Sequence, residues 1–210
     1  MLRLALALVL LLPRPGLAQD RAGAFDYYVL ALSWSPTWCA LDGDARRSPQ
    51  CDPAADFGWV LHGLWPQYER GYPQYCTLPT RDPSRAETAA MADIMGDGGA
   101  AWYQWKKHGR CAGLPAADYF ALARAAYDTI ARPDVFRRLS DPVRLPASVV
   151  EEAFLEANPD LEADGVTITC RDSRIQEARI CLDRDLAPRR CGMDVRRDCR
   201  QRDALMDPIR

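Results

Sequence analysis

The chain holds only two histidines among its 210 residues, His62 and His108. Whatever imidazole chemistry it performs rests on that pair. No apolar run reaches the length of a membrane span; the longest, Leu4 to Leu12, has nine residues and is too short to cross a bilayer. The basic excess of a protein that coats nucleic acid is also missing, since the formal charge is −2. No two of the eight cysteines form a CxxC pair, which weighs against a structural zinc site. Internal repeats, linkers and low-complexity stretches are missing beyond the first residues.

What is present at the start, MLRLALALVLLLPRPGLA, has Arg3 ahead of the apolar run and small residues at Gly16 and Ala18. This is the layout of a secretory signal, with cleavage expected after Ala18. The expected organisation is therefore a signal over 1–18 and one domain over 19–210, exported to a periplasm or beyond the cell, with no membrane attachment after cleavage. Loss of Arg3 and Arg14 leaves 25 basic against 29 acidic residues, a charge of −4. Contacts with a polyanion must then be local. The arginine-rich stretch after Arg189 is threaded with cysteines and aspartates and reads as a solvated, disulfide-tied tail.

An exported chain with an even cysteine count implies disulfides. Cys39 with Cys51 and Cys76 with Cys111 are neighbours in order. Cys170 with Cys199 and Cys181 with Cys191 is a nested arrangement for the last four; sequence alone does not fix the pairing.

With 48% hydrophobic residues the chain suits one domain with a sizeable core. DYYVLALSWSPTWC, from Asp26, reads as a strand running into a Pro-containing turn, and FGWVLHGLWPQ, from Phe57, as a second strand. Alternation along the second puts Gly58, Val60 and His62 on one face and Phe57, Trp59 and Leu61 on the other. Helices are expected over roughly Arg85 to Met95, Ala101 to His108 and Pro115 to Ile130. Another falls in LPASVVEEAFLEANPDL, with Ser148 and Glu151 spaced as a capping box. GVTITC and ARICLD follow as paired strands. Strands at both ends and helices between predict an α+β domain: a mainly antiparallel central sheet flanked by several helices and stapled by disulfides.

If WYQWKKH is helical, Gln104, Lys107 and His108 share one face. Trp102 and Trp105 fall on an adjacent face that can bury itself. Gly109 stops the helix, and Cys111 can pin it. Two imidazoles can supply one base and one acid near neutral pH. RNA cleavage suits such a pair, because the neighbouring 2′-hydroxyl is the nucleophile and needs only a base, while the leaving 5′-oxygen needs an acid. No metal or cofactor is called for, and Lys107 would balance charge on the phosphate. A cysteine or carboxylate hydrolase is weaker, because the cysteines are employed in disulfides and the carboxylates form no compelling pair.

WVLHGLWPQ and WYQWKKHGRC resemble the two active-site segments of the ribonuclease T2 family, in the family's order and separation. YVLALSWSPTWC is similar to its first strand, and Cys76 with Cys111 to its central disulfide. The resemblance implies an α+β, metal-independent endoribonuclease, secreted or periplasmic, that cleaves single-stranded RNA through a 2′,3′-cyclic phosphate with little base preference. It casts His108 as general base, His62 as acid, Lys107 as the transition-state lysine and Trp65 as lining the phosphate or base site. The two histidine labels are exchangeable. Gln104 stands where the family usually has glutamate, and Tyr103 where many members have a third histidine. Gln104 adds no negative charge but can donate a hydrogen bond to a phosphoryl oxygen. The competing expectation is a weak or inactive relative that binds RNA or a protein partner. RNA is the expected partner, and a monomer the expected state.

Overall fold

The computed structural model describes residues 20–210, so the segment read as a signal lies outside the described residues. Six strands form one sheet: β1 (Tyr27–Trp34), β2 (Trp59–Gln67), β3 (Val143–Leu145), β4 (Val166–Arg171), β5 (Arg174–Leu182) and β6 (Ala204–Met206). The order is β2-β1-β5-β6-β3, with β4 also paired to β5. Every pairing is antiparallel except β5 with β6, so the expected α+β class and mainly antiparallel sheet hold. The helices are α1 (Ser35–Trp38), α2 (Arg85–Ala89), α3 (Ala92–Met95), α4 (Gly98–Lys107), α5 (Ala116–Thr129) and α6 (Ala147–Ala157).

Period-two alternation divides β1 between two faces. Tyr28, Leu30, Leu32 and Trp34 enter the main core, where they meet Trp105 of α4, Tyr119 and Phe120 of α5 and Phe154 of α6. Each such large apolar side chain, fully buried, contributes about 1.5–3 kcal/mol. Tyr27 and Val29 point the other way into a smaller cluster with Cys181, Cys191 and Val195, against which Trp65 packs. That second face is only partly covered, and it carries the site.

The register of β2 changes where it matters. Ala31 pairs with Gly63 and Leu32 with Leu61, which leaves His62 as an extra, unpaired residue at a bulge. A bulge bends its strand and re-aims a side chain. It also explains why Leu61 and Leu64, three apart, both reach the same core.

Several expectations change in detail. The stretch Arg85 to Met95 is two short helices, because the chain turns at Ala90 and Met91 and Gly96 closes the second with φ of 76°. The capping box lies at Ser84 and Glu87, while the helix read with Ser148 as its cap starts at Ala147, behind Pro146. α4 begins at Gly98 rather than Ala101, because the Asp97 side chain accepts from Gly99 N–H at 2.6 Å and makes two glycines tolerable as a first turn.

Four disulfides close: Cys39–Cys51, Cys76–Cys111, Cys170–Cys199 and Cys181–Cys191. The last two tie the arginine-rich tail to β4 and β5.

Candidate active site

The bulge turns His62 toward β5, where Ser33 of β1 pairs with Glu177. His62 Nδ1 lies 2.5 Å from Glu177 Oε1. The carboxylate is 1% exposed, and its second oxygen accepts from Arg179 Nε and Nη2 at 3.0 and 2.8 Å. Burial pushes the Glu177 carboxyl up, but the hydrogen bonds and charges of His62 and Arg179 outweigh it and hold the group down at about 2. Glu177 is an anion throughout the working range of most enzymes.

α4 runs beside edge strand β2 and delivers its polar face to the same place. Steps of about 100° bring Gln104, Lys107 and His108 together. Gln104 is 3% exposed, and its Oε1 accepts from Trp65 Nε1 at 2.8 Å. Gly63 makes that contact possible, since a Cβ there would stand 2.4 Å from Trp65 Nε1 and 2.8 Å from Gln104 Oε1. His108 ends the helix, its N–H donating to Gln104 O at 2.9 Å.

The helix stops before Gly109 as expected, but it is close approach, not a left-handed backbone, that demands glycine there. A Cβ there would sit 2.7 Å from the Tyr119 ring and 2.8 Å from Trp105. Trp105 is fully buried, as expected of an anchor, but Trp102 is 37% exposed and is no part of the core.

Trp65 stands between the two histidines. Its ring stacks on His108 at 5.1 Å between centroids and meets His62 edge-on, also at 5.1 Å. Arg179 lies over the Trp65 ring at 5.5 Å, and Tyr72 leans on His108 at 5.8 Å. The loop that carries Tyr72 is pinned by Gly71 N–H donating to Asp194 at 2.6 Å, and Tyr75 N–H donates to Lys107 O at 2.8 Å.

The two imidazoles sit in different surroundings. The His108 residue is 5% exposed, whereas 39% of the His62 side chain is exposed. Burial above all, then the positive charges of Lys107 and His62, pushes the His108 pKa down to about 3. Its Nδ1 is buried without a protein partner. The pair therefore offers one neutral imidazole and a second one anchored to a carboxylate.

A cleft of about 500 Å³ opens over Trp65, lined by His62, Tyr72, Lys107, His108 and Arg179. A neighbouring cleft of about 570 Å³ runs from the other side of His62 past Arg46, Gln50, Asp97 and Arg171. His62, Tyr103, Gln104 and Glu177 belong to both walls. Tyr103 shares a hydrogen bond with Tyr75, and Lys107 Nζ lies 6.0 Å from its ring centre. All six residues expected from sequence thus converge. Glu177, Arg179 and Tyr72 join them unannounced; Glu177 and Arg179, two apart in β5, share a face of the sheet. Among the described residues no group of three or more His, Cys, Asp or Glu side chains could hold a metal ion.

A model of the Ribonuclease T2 family matches residues 25–191. A ribonuclease of Aeromonas hydrophila is 40% identical over 131 residues, covering 62% of this chain and 54% of that protein. The chain thus spans about half the length of that curated relative. The solved structure of an RNase-related protein from Calystegia sepium superposes with a TM-score of 0.66 at 19% identity, over 87% of this chain and 96% of its own. RNase NT, solved in complex with 5′-AMP, gives a TM-score of 0.63 at 19% identity, over 88% and 98%. The fold is the one those proteins share, and this chain belongs to the ribonuclease T2 family.

Proposed function

We propose that the protein is an exported, metal-independent endoribonuclease, periplasmic or extracellular and monomeric, that cleaves single-stranded RNA by transesterification. Neutral His108 takes the proton of the 2′-hydroxyl, whose oxygen attacks the adjacent phosphorus. His62 gives a proton to the departing 5′-oxygen, and the product ends in a 2′,3′-cyclic phosphate. The observation that carries the reading is the contrast across Trp65, with a desolvated imidazole on one side and a carboxylate-bound imidazole on the other. A base must be unprotonated to act, and an acid must hold a proton it can deliver.

Lys107 supplies positive charge to the pentacoordinate phosphate. The amide oxygen of Gln104 is committed to Trp65, which leaves its N–H groups to donate to a phosphoryl oxygen. Tyr72, 45% exposed, offers a ring face on which any base stacks, in keeping with low base preference, and Trp65 lines the phosphate or base site beside it. The second reading, a weak or inactive binding relative, draws on Gln104 alone, where the family usually carries a carboxylate. The discriminating experiment compares wild type with His62→Ala and His108→Ala on RNA in EDTA, each protein checked for folding. Cleavage by wild type and its loss in both variants supports the reading. Cleavage that disappears in EDTA, or survives either substitution, contradicts it.

A further inference from the structure

Glu177 lies 115 residues from His62 in sequence and shares its face of β5 with Arg179. Two oxygens of one buried carboxylate have two separate partners: Oε1 faces His62 Nδ1 at 2.5 Å, and Oε2 takes both Arg179 donors. Ser33 Oγ, 3.5 Å from Oε1, supports the same oxygen. An ionised carboxylate has lone pairs and no proton to give, so the nitrogen facing it must carry the hydrogen. Imidazole Nδ1 is thereby fixed as a donor, and Nε2 is left as the ring nitrogen available to the clefts that His62 lines.

We infer that Glu177 is a positioning residue for His62: it holds Nδ1–H and presents Nε2 as the atom that hands a proton to the leaving oxygen. The inference rests on the ribonuclease reading and deepens it. Doubly protonated His62 loses the Nε2 proton to the 5′-oxygen as the P–O bond breaks, and the neutral ring that remains is the Nδ1–H form, the one Glu177 accepts from. A carboxylate that orients an imidazole and selects its tautomer is a known device in nucleophilic catalysis.

Glu177→Gln tests the inference sharply, because an amide has one acceptor where the carboxylate has two. The Arg179 guanidinium claims the amide oxygen, and the amide N–H₂ then faces His62 Nδ1. Neutral His62 must switch to the Nε2–H form, and its doubly protonated form meets a donor where it had an acceptor.

The first readout is the tautomer of neutral His62 from imidazole ¹⁵N chemical shifts, measured on the unreacted protein. The expectation is Nδ1–H in wild type and Nε2–H in E177Q. The second is cleavage of a dinucleotide, whose leaving alkoxide needs a proton, against a nucleoside 3′-nitrophenyl phosphate, whose leaving group does not. Glu177→Gln should lower kcat on the dinucleotide by about 10²-fold or more with KM little changed, while the nitrophenyl ester stays within about threefold of wild type.

Equal losses on both substrates would reduce Glu177 to a structural support and overturn the inference. So would an unchanged dinucleotide rate, or a wild-type His62 in the Nε2–H form, a measurement that needs no variant to fold. Wild-type protein that cuts neither substrate overturns the ribonuclease reading itself. A wild type that cuts both, with E177Q indistinguishable from it, removes the positioning role alone.

Discussion

Gln104→Glu restores the carboxylate usual in the family at almost no cost in shape, and its consequence can be worked through from the structure. The side chain is 3% exposed, and one carboxylate oxygen can keep the hydrogen bond from Trp65 Nε1. The change is then the arrival of a negative charge one helical turn from His108. Burial, Lys107 and His62 hold His108 at about 3. An opposite charge within about 4–6 Å raises a base's pKa by roughly 1–3. Because a base fails when it is protonated, the acid limb of kcat/KM follows this pKa and should climb from near 3 to roughly 4–6. If about half of the gained basicity is expressed in the transition state, kcat/KM on the plateau should rise about 3- to 30-fold. Opposing this, the variant loses the amide N–H groups and sets an anion near the phosphate. The assay is kcat/KM on a dinucleotide from pH 3 to 8 for both proteins. An acid limb that does not move refutes the electrostatic account of His108. Equal or lower activity at every pH refutes the view that Gln104 is a handicap.

His108 should also make the fold acid-sensitive. Its folded pKa is depressed from 6.5 to about 3, so the unfolded chain binds the extra proton between those values. Stability is therefore full above 6.5 and falls as pH drops toward 3, at a limiting slope of about 1.4 kcal/mol per pH unit and by a few kcal/mol at most. Glu177, depressed from 4.5 to about 2, adds a loss of the same sign at lower pH. His108→Gln should flatten the melting-temperature profile between pH 6 and 4; a slope identical to wild type would contradict the desolvation argument. Cys76 and Cys111, 35 residues apart, close a long loop next to the end of α4. Replacing both with alanine should cost about 4 kcal/mol in denaturant unfolding, and a loss under about 1 kcal/mol would show that the loop is ordered without its staple.

Sequence discloses what lies close together along the chain. The polar face of α4 is legible because Gln104, Lys107 and His108 follow the helical step, and His62 because strand alternation separates it from Trp59 and Leu61. Gly109 misleads, since a glycine required by the nearness of Tyr119 and Trp105 looks the same in sequence as one required by its backbone angles. Trp102 misleads because helical periodicity defines a face without saying how far the core extends across it. Glu177 is out of reach for a different reason. Its meeting with His62 depends on β1 pairing with both β2 and β5, and on a bulge of one residue that no local pattern announces. Composition alone marks the strand from Ala178 onward, one residue past Glu177, whereas β5 begins at Arg174.

Two imidazoles of unlike state acting on a 2′-hydroxyl and its phosphate leave their mark in the product ends. Oxidised protein lacking residues 1–18 would be incubated in EDTA, from acidic to neutral pH, with a short RNA and its 2′-deoxy counterpart. Fragments with 2′,3′-cyclic phosphate ends from the RNA and an intact deoxy strand are the expected outcome. Cleavage of the deoxy strand, RNA ends without cyclic phosphate, or a folded protein that leaves RNA whole would contradict it.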